Sequence, residues 1–356
     1  MNLLLTSIGK RIELIEHLKT RFRVVGADAS TMNPAKRFVD AFYQVPRCRE
    51  EGYVEALLEI CRKEGVSLLV PLYEPEFLIL DAARERFEEI GVKLVLSDRQ
   101  VLKICGDKRR TADFFEKYEI PAPKTFSAEE VEKIAVGEKA AYPLILKPAD
   151  GMGSEGIFRA GNRKELSFFY EYAGENVLVQ ECAAGREYTI DVLCDFCGEP
   201  VYIVPRIRLE VISGEVSKSR VDMRECVITE TERLLMALGK EGCVCGPMTI
   251  QCFLSEDGTD ISFIEINPRF GGGVPLAFAA GADYAEALFI MAQGYAYVAE
   301  RSKRSLEAAE KRKINYVIRN RERGVPKMEQ RIDWTSFRER EMKELTMMRY
   351  SSAVYE

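Results

Sequence analysis

The stretch ISFIEINPRFGGG, residues 261–273, decides how this chain is read. Side chains alternate along a strand, so Ile261, Phe263, Glu265 and Asn267 are expected on one face and Ile264 and Ile266 on the other. Pro268 has no backbone N–H and ends the ladder just after Asn267. Arg269 and the loop Gly271-Gly272-Gly273 follow at once. Upstream, residues 247–253 read as a second strand, and Asp257-Gly258 between the two is a hairpin signal. Folding about Gly258 sets Gln251 opposite Glu265, on the face that also carries Asn267. Three oxygen donors then converge beside an arginine. Hard oxygen ligands suit Mg²⁺ or Mn²⁺ rather than zinc, and Mg²⁺ commonly takes its remaining ligands from phosphate. Taken alone, the stretch also reads as a capped strand end with a polar edge.

At 356 residues the chain is long enough for two or three domains, and 47% hydrophobic with 30% charged residues is ordinary globular composition. A net charge of −6 argues against a general nucleic-acid or anionic-membrane binder. No apolar run approaches the ~20 residues of a membrane helix, and residues 1–7 lack the basic start of a signal peptide. A cytoplasmic location is the expectation. The ten cysteines then read as buried small hydrophobes. Cys194-x-x-Cys197 and Cys243-x-Cys245 resemble zinc half-sites, with no histidine to complete one. The single histidine, His17, falls on a predicted helix as a surface or packing residue, which excludes histidine triads elsewhere.

Residues 1–105 alternate strand and helix: strands at 2–6, 24–28, 67–71 and 92–96, helices near 12–18, 51–64 and 75–90. That order predicts a small, Rossmann-like parallel sheet with ligands at the carboxyl ends of its strands, where Ser7, Gly9, Asp28 and Glu74 stand. Each of these is also a common cap or turn residue. From 106 to about 300 runs of strands lie beside runs of helices, an α+β pattern, and residues 301–356 form a charged C-terminal extension with a strand at 314–318 and helices.

Gly151-Met-Gly153-Ser154-Glu-Gly156 matches G-x-G-x-x-G, but a strand rather than a helix follows, so it is not the dinucleotide fingerprint, and no P-loop is present. A glycine loop between two strands, with Lys147 on the first, can fold over a polyphosphate and offer it backbone N–H groups and a charge. A plain hairpin loop fits equally well. Its companions add weight: Lys108 upstream, the 180–184 segment whose backbone can pair with an adenine edge, and Glu187, suited to ribose hydroxyls.

The order Asp-Lys, strand-Lys-Pro, glycine loop, Val-Gln-Glu, Gly-x-Glu, then Gln and Glu-x-Asn-Pro-Arg resembles the ATP-grasp superfamily over about 106–281. Within it the chain looks most like single-copy relatives of the carbamoyl-phosphate synthase large chain and like the ligase of pyrrolysine biosynthesis. Residues 1–105 resemble their pre-ATP-grasp domain. The resemblance implies a two-subdomain grasp fold over 106–300, with a lid at about 120–180. It implies Lys108, Lys147 and the loop of Gly151, Gly153, Ser154 and Gly156 on ATP phosphates. Glu181, Cys182 and Ala184 would surround adenine, with Glu187 on ribose. Gln251, Glu265 and Asn267 would hold Mg²⁺, with Arg269 near the transferred phosphoryl group. There is one grasp unit and no glutaminase domain, which argues against complete carbamoyl-phosphate synthesis.

Such enzymes phosphorylate a carboxylate and let an amine attack the acylphosphate, chemistry that needs alignment and cations rather than histidine. Arg206 and Arg208 share a strand face and, with Lys218, are the expected carboxylate clamp. A solvated basic face is the alternative. The leading expectation is an ATP- and Mg²⁺-dependent carboxylate–amine ligase acting on small molecules. The next keeps the ATP site and makes another bond. A rival class is a nucleotide-binding regulatory or scaffold protein without turnover. A homodimer is the default assembly.

Overall fold

The computed structural model describes residues 1–149, 156–174, 176–212 and 215–293, with the strand backbone of 295–300, 313–320, 328–333 and 346–348. The chain opens with five parallel strands, β1 (Asn2–Thr6), β2 (Arg23–Asp28), β3 (Ala41–Gln44), β4 (Val66–Pro71) and β5 (Lys93–Leu94), ordered β3-β2-β1-β4-β5. Their continuous apolar runs reflect burial on both faces. Leu3 and Leu5 pack against helix Ile12–Leu18, while Leu4 and Val25 pack against helix Tyr53–Glu64. The edge strand β3 is an addition to the four strands expected here.

The single helix expected over 75–90 is broken into a 3₁₀ turn, Glu74–Glu76, and helices Phe77–Ala82 and Arg84–Glu88. Glu76 explains the first break. Its buried carboxylate accepts from Thr6 Oγ1 at 2.7 Å, Ser7 Oγ at 3.2 Å, the Tyr53 hydroxyl and the N–H groups of Leu72 and Tyr73. Asp28 likewise caps a turn, accepting from Gly9 N and Ser30 N at 2.9 Å each. The structure thus uses Ser7, Gly9 and Asp28 to close strand ends.

Next come β6 (Thr125–Phe126), β7 (Leu144–Pro148), β8 (Phe158–Ala160) and β9 (Val177–Glu181), an antiparallel sheet ordered β6-β9-β7-β8. Helices Ala128–Val136 and Arg163–Ala173 cover it, burying Val131, Ile134 and Leu166 on a core of its own. Then β10 (Arg186–Cys194), β11 (Pro200–Ile212), β12 (Glu215–Val221), β13 (Gly246–Leu254) and β14 (Ile261–Asn267) build the main antiparallel sheet. After β15 (Tyr295–Glu300), β16 (Lys313–Asn320) and β17 (Met328–Asp333), which pair with one another, β18 (Thr346–Met348) adds to its edge. The main order is β14-β13-β10-β11-β12-β18. β11 runs on through Arg206 and Arg208 to Ile212 and pairs antiparallel with β12. The helices expected in the extension fall outside the described residues.

One face of the main sheet is apolar. Tyr188, Ile190, Val192, Ile207, Met248, Ile250, Phe263 and Ile266 pack on helices Arg99–Cys105, Lys108–Lys117 and Glu225–Leu238. Phe263 corrects the simple alternation. The register pairs Gln251 with Glu265 but Cys252 with Phe263, so a bulge absorbs Ile264. A bulge puts two residues against one and turns the side chains beyond it to the other face. Phe263 therefore enters the core, fully buried, instead of sharing the face of Glu265. The far end of the other face carries Leu193, Val204 and Phe270 into a core shared with β1 and helices Ile12–Leu18 and Tyr284–Ala292, which joins the first domain to the main sheet.

Candidate active site

The polar face of the main sheet is laid out by its registers. Glu265 of β14 lies opposite Gln251 of β13, which lies opposite Thr189 of β10, which lies opposite Arg206 of β11. The adjacent row runs Asn267, Thr249, Asp191. The hairpin expected from sequence thus brings Gln251, Glu265 and Asn267 onto one patch, and Pro268 leads the chain off the ladder beside it. Arg269 N then donates to Asn267 O at 2.8 Å, while Thr249 Oγ1 donates to Arg269 O at 2.9 Å, fixing where the arginine leaves the sheet.

Arg269 crosses to the first domain. Its Nε lies 2.8 Å from Oε1 of Glu74, in the turn after β4. Burial raises the Glu74 carboxyl above the usual carboxylate range; Arg269 and Lys108 oppose the shift and Glu265 adds to it. Lys108 opens helix Lys108–Lys117, whose N-cap Asp107 accepts from Arg109 N and Arg110 N. The Lys108 N–H donates to Ala149 O at 2.9 Å, which ties the helix start to the chain leaving β7. Lys147 on β7 is thereby drawn to the same end. Its amine is pushed down to about 8 by burial, with Lys108 acting in the same direction and Glu265 against it. Two lysines, two carboxylates and an arginine share one electrostatic environment at the carboxyl end of the first sheet.

Glu187, half-buried on β10, lies with Oε1 3.1 Å from Arg208 Nε. Burial raises the Glu187 carboxyl, Arg208 opposes, and burial also lowers Arg208. Glu181 ends β9 with an exposed side chain and gives its N–H to Lys124 O at 3.0 Å. Cys182 and Ala184 then run between β9 and β10 outside the ladder. Gly185 closes this crossing with φ +111°, where an added Cβ would stand 2.2 Å from Leu254 O, so only glycine lets β10 start against β13. Of the glycine loop, Gly151, Gly153 and Ser154 lie outside the described residues. Gly156 returns at φ +70°, against Pro148.

The expected carboxylate clamp comes apart. Arg206 is 1% exposed and donates from Nε to Asp191 Oδ2 at 2.7 Å, so it is walled off from an incoming substrate. Strand parity gave its face but not its depth: residues 271–273 lie over it, and an added Cβ on Gly273 would meet the guanidinium at 2.7–2.8 Å. Lys218 alternates with the buried Ser219, stands half-exposed and pairs with Glu210 at 3.2 Å. Arg208 stays with Glu187 on the polar face. Sequence reading left out Asp191, Thr189 and Thr249. The two-residue spacing of Glu187, Thr189 and Asp191 carried that signal, since it puts all three on one face.

The oxygen donors fit a hard cation only in part. Among the described residues no group of three or more His, Cys, Asp or Glu is arranged to hold a metal. Glu265 with the amide oxygens of Gln251 and Asn267 offers one charge and two neutral donors, a set that needs phosphate or water oxygens to fill an octahedron.

Family models match two parts of the chain: a PylC-like N-terminal domain over residues 3–95 and an ATP-grasp domain over 105–273. The carbamoyl phosphate synthase arginine-specific large chain of Halalkalibacterium halodurans is 26% identical over 238 residues, 63% of this chain and 22% of that protein, so the chain spans about a fifth of that relative's length. The biotin carboxylase domain of 2-oxoglutarate carboxylase from Hydrogenobacter thermophilus, solved with MgADP, ADP and bicarbonate, aligns at a TM-score of 0.65 and 20% identity, covering 89% of this chain and 73% of that one. N5-carboxyaminoimidazole synthetase from Staphylococcus aureus, complexed with ADP, aligns at 0.63 and 15% identity over 78% and 72%. The L-amino acid ligase of Bacillus licheniformis aligns at 0.59 and 20% identity over 82% and 74%. The two-part domain order, the parallel first sheet and the antiparallel sheets that follow agree with these matches, and the chain is an ATP-grasp protein with a PylC-like N-terminal domain, related to the carbamoyl-phosphate synthase large chain.

Proposed function

We propose that this chain is an ATP- and Mg²⁺-dependent ligase that activates a small carboxylate as an acylphosphate and joins it to an amine, releasing ADP. The observation carrying this reading is that Gln251, Glu265 and Asn267 share one register patch beside Arg269, with the charge of Glu265 acting on Lys147 and that of Lys108 on Glu74. Relatives solved with ADP or MgADP, and the ligase chemistry in their names, support it.

Lys108 and Lys147 offer cations to the phosphates. Glu265, Gln251 and Asn267 are suited to a bound Mg²⁺, which would offset charge on the β- and γ-phosphates. A substrate carboxylate oxygen attacks the γ-phosphorus, the bond to the β-phosphate oxygen breaks, and ADP leaves. Arg269, steered by Glu74, is aimed to stabilise the transferring group. The amine then attacks the acyl carbon, and the phosphate departs. Glu187 is the candidate ribose partner and 181–184 the adenine edge. Arg208 remains the candidate contact for a substrate carboxylate.

Incubation with ATP, Mg²⁺ and pools of amino acids and small carboxylates tests this. Substrate-dependent ADP and phosphate release, lost in Glu265→Ala, is the expected result. Release of AMP with pyrophosphate, or tight ATP binding without turnover in any pool, overturns it, the latter in favour of a regulatory nucleotide-binding protein.

A further inference from the structure

Away from the cleft, the two cysteine motifs of the sequence meet in space. Cys194 ends β10 and lies opposite Gly246 at the start of β13. The turn that follows, Asp195 to Gly198, is held by the Asp195 carboxylate, whose Oδ1 accepts from Cys197 N at 2.7 Å and Glu199 N at 3.0 Å. Two contacts press this turn onto the segment leading into β13. Cys243 Sγ lies 3.6 Å from the carbonyl oxygen of Phe196, the residue before Cys197. On the other side of Cys197, an added Cβ on Gly198 would stand 3.8 Å from both N and O of Val244, the residue after Cys243. Cys197 thus lies between two residues, Phe196 and Gly198, that touch Cys243 and Val244. A disulfide requires Cα atoms roughly 4.4–6.8 Å apart, and these two contacts bring the segments carrying Cys197 and Cys243 together.

The two thiols differ in access. Cys197 is exposed and Cys243 half-buried, while Cys194 and Cys245 are buried. A cavity of about 340 Å³, lined by Arg84, Glu88, Lys93 and Phe196 among others, opens beside the turn, with Lys93 Nζ 5.4 Å from the centre of the Phe196 ring. Cys197, exposed on the turn itself, is open to a small oxidant or a thiol reagent. Metal binding fits less well, because no group of three or more candidate ligands among the described residues is arranged for it.

We infer that Cys197 and Cys243 form a reversible disulfide, a redox modification site outside the ATP-grasp cleft. With a peroxide as oxidant, the Cys197 thiol attacks one peroxide oxygen, the O–O bond breaks, and a sulfenic acid and one water result. The Cys243 sulfur then attacks the sulfenic sulfur, the S–O bond breaks, and a second water leaves with the S–S bond formed. Two thiols are oxidised and one peroxide is reduced. Burial, with Asp98, Asp195 and Cys197, pushes the Cys243 thiol up, which suits it to the second, resolving step rather than the first. Cys243 also holds Asp98 by two hydrogen bonds: its N–H donates to the Asp98 carboxylate Oδ2 at 2.8 Å, and its carbonyl accepts from Asp98 N at 2.9 Å. The bond would therefore tie the β10–β11 turn to the seam between the first domain and the main sheet.

Full-length protein is treated with hydrogen peroxide at small molar excess, then alkylated with N-ethylmaleimide, digested and weighed. The expected product is a peptide pair containing Cys197 and Cys243 joined with loss of 2 Da, reversed by dithiothreitol and absent in Cys197→Ser. Its formation should raise Tm by several degrees, since it closes a long loop. Phenylarsine oxide, which needs two adjacent thiols, should protect both from alkylation in the reduced protein. Cys197→Ser sits in an exposed turn and should fold like wild type, and Cys243→Ala gives a second route to the same loss. Conversion of Cys197 to its sulfinic acid while Cys243 stays alkylatable would overturn the pairing, as would a bond from Cys197 to Cys48 or to another copy.

Discussion

Glu74 and Arg269 stand 195 residues apart in sequence and meet at 2.8 Å, Oε1 to Nε, where the first domain faces the loop after β14. The arginine's backbone is already pinned by Asn267 and Thr249, so Glu74 sets the direction of its side chain. A hydrogen bond to a charged group is worth ~1.5–3 kcal/mol, or about ten- to a hundred-fold in rate if it matters only in the transition state. Glu74→Ala should therefore lower kcat in the ADP-release assay by that factor. ATP affinity, which the proposed function assigns to Lys108 and Lys147, should move less than about threefold. Equal losses in both would place Glu74 in nucleotide binding instead.

The buried Asp191–Arg206 pair makes a different prediction, because both groups lie on the polar face but are covered by residues 271–273. Removing one partner leaves an uncompensated buried charge at a cost of ~3–5 kcal/mol, whereas an apolar pair of similar volume is often neutral. Arg206→Met and Asp191→Leu should each lower the urea midpoint sharply, and the double variant should lose much less than their sum. Gly273→Ala should be destabilising by ~1–3 kcal/mol, since its methyl would enter the guanidinium of Arg206. Additive single losses would mean the pair is not coupled.

These two ion pairs also mark how far the sequence can be read. The Gln251–Glu265 register was legible because an Asp-Gly turn fixes hairpin pairing and side-chain parity does the rest. The bulge at Ile264 was not, since one extra residue leaves no local trace and is decided by how Phe263 fits the core beside Phe115. Parity put Arg206 and Arg208 on one face but could not tell that loop 271–273 would cover one and leave the other beside Glu187. Glu74 stood at a strand end where ligands bind, yet only tertiary folding names Arg269 as its partner.

Lys147 offers a pH test. Its amine is held down to about 8 by burial, so the protonated form that phosphate needs is depleted as pH rises through that value. ATP affinity should fall from about pH 8 upward. Bound phosphate would favour the charged form and raise the amine's value, so titration calorimetry in buffers of different ionisation heat should show proton uptake on binding at pH 8–9. Lys147→Ala should bind weakly at every pH and show no such uptake. An affinity flat to pH 9.5 in wild type would remove Lys147 from the phosphates.

His17 predicts acid sensitivity of the fold itself. Its Nε2 accepts from the N–H of Ala285 at 3.2 Å, capping an otherwise unpaired donor in the first turn of helix Tyr284–Ala292, and its ring stacks on Phe278 at 3.9 Å. Only neutral imidazole can accept there. Burial accordingly holds its pKa below the usual value, with Asp283 at 3.6 Å pulling the other way. Between the depressed native value and the ~6.5 of the unfolded chain, the unfolded state binds more protons, so stability rises with pH. The contribution is fully present above ~6.5 and is lost as pH falls toward the native value. Denaturant midpoints at pH 7.5 and 5 should therefore differ more for wild type than for His17→Gln, whose amide oxygen accepts from Ala285 without titrating. An equal difference in the two proteins would assign the acid loss to other groups.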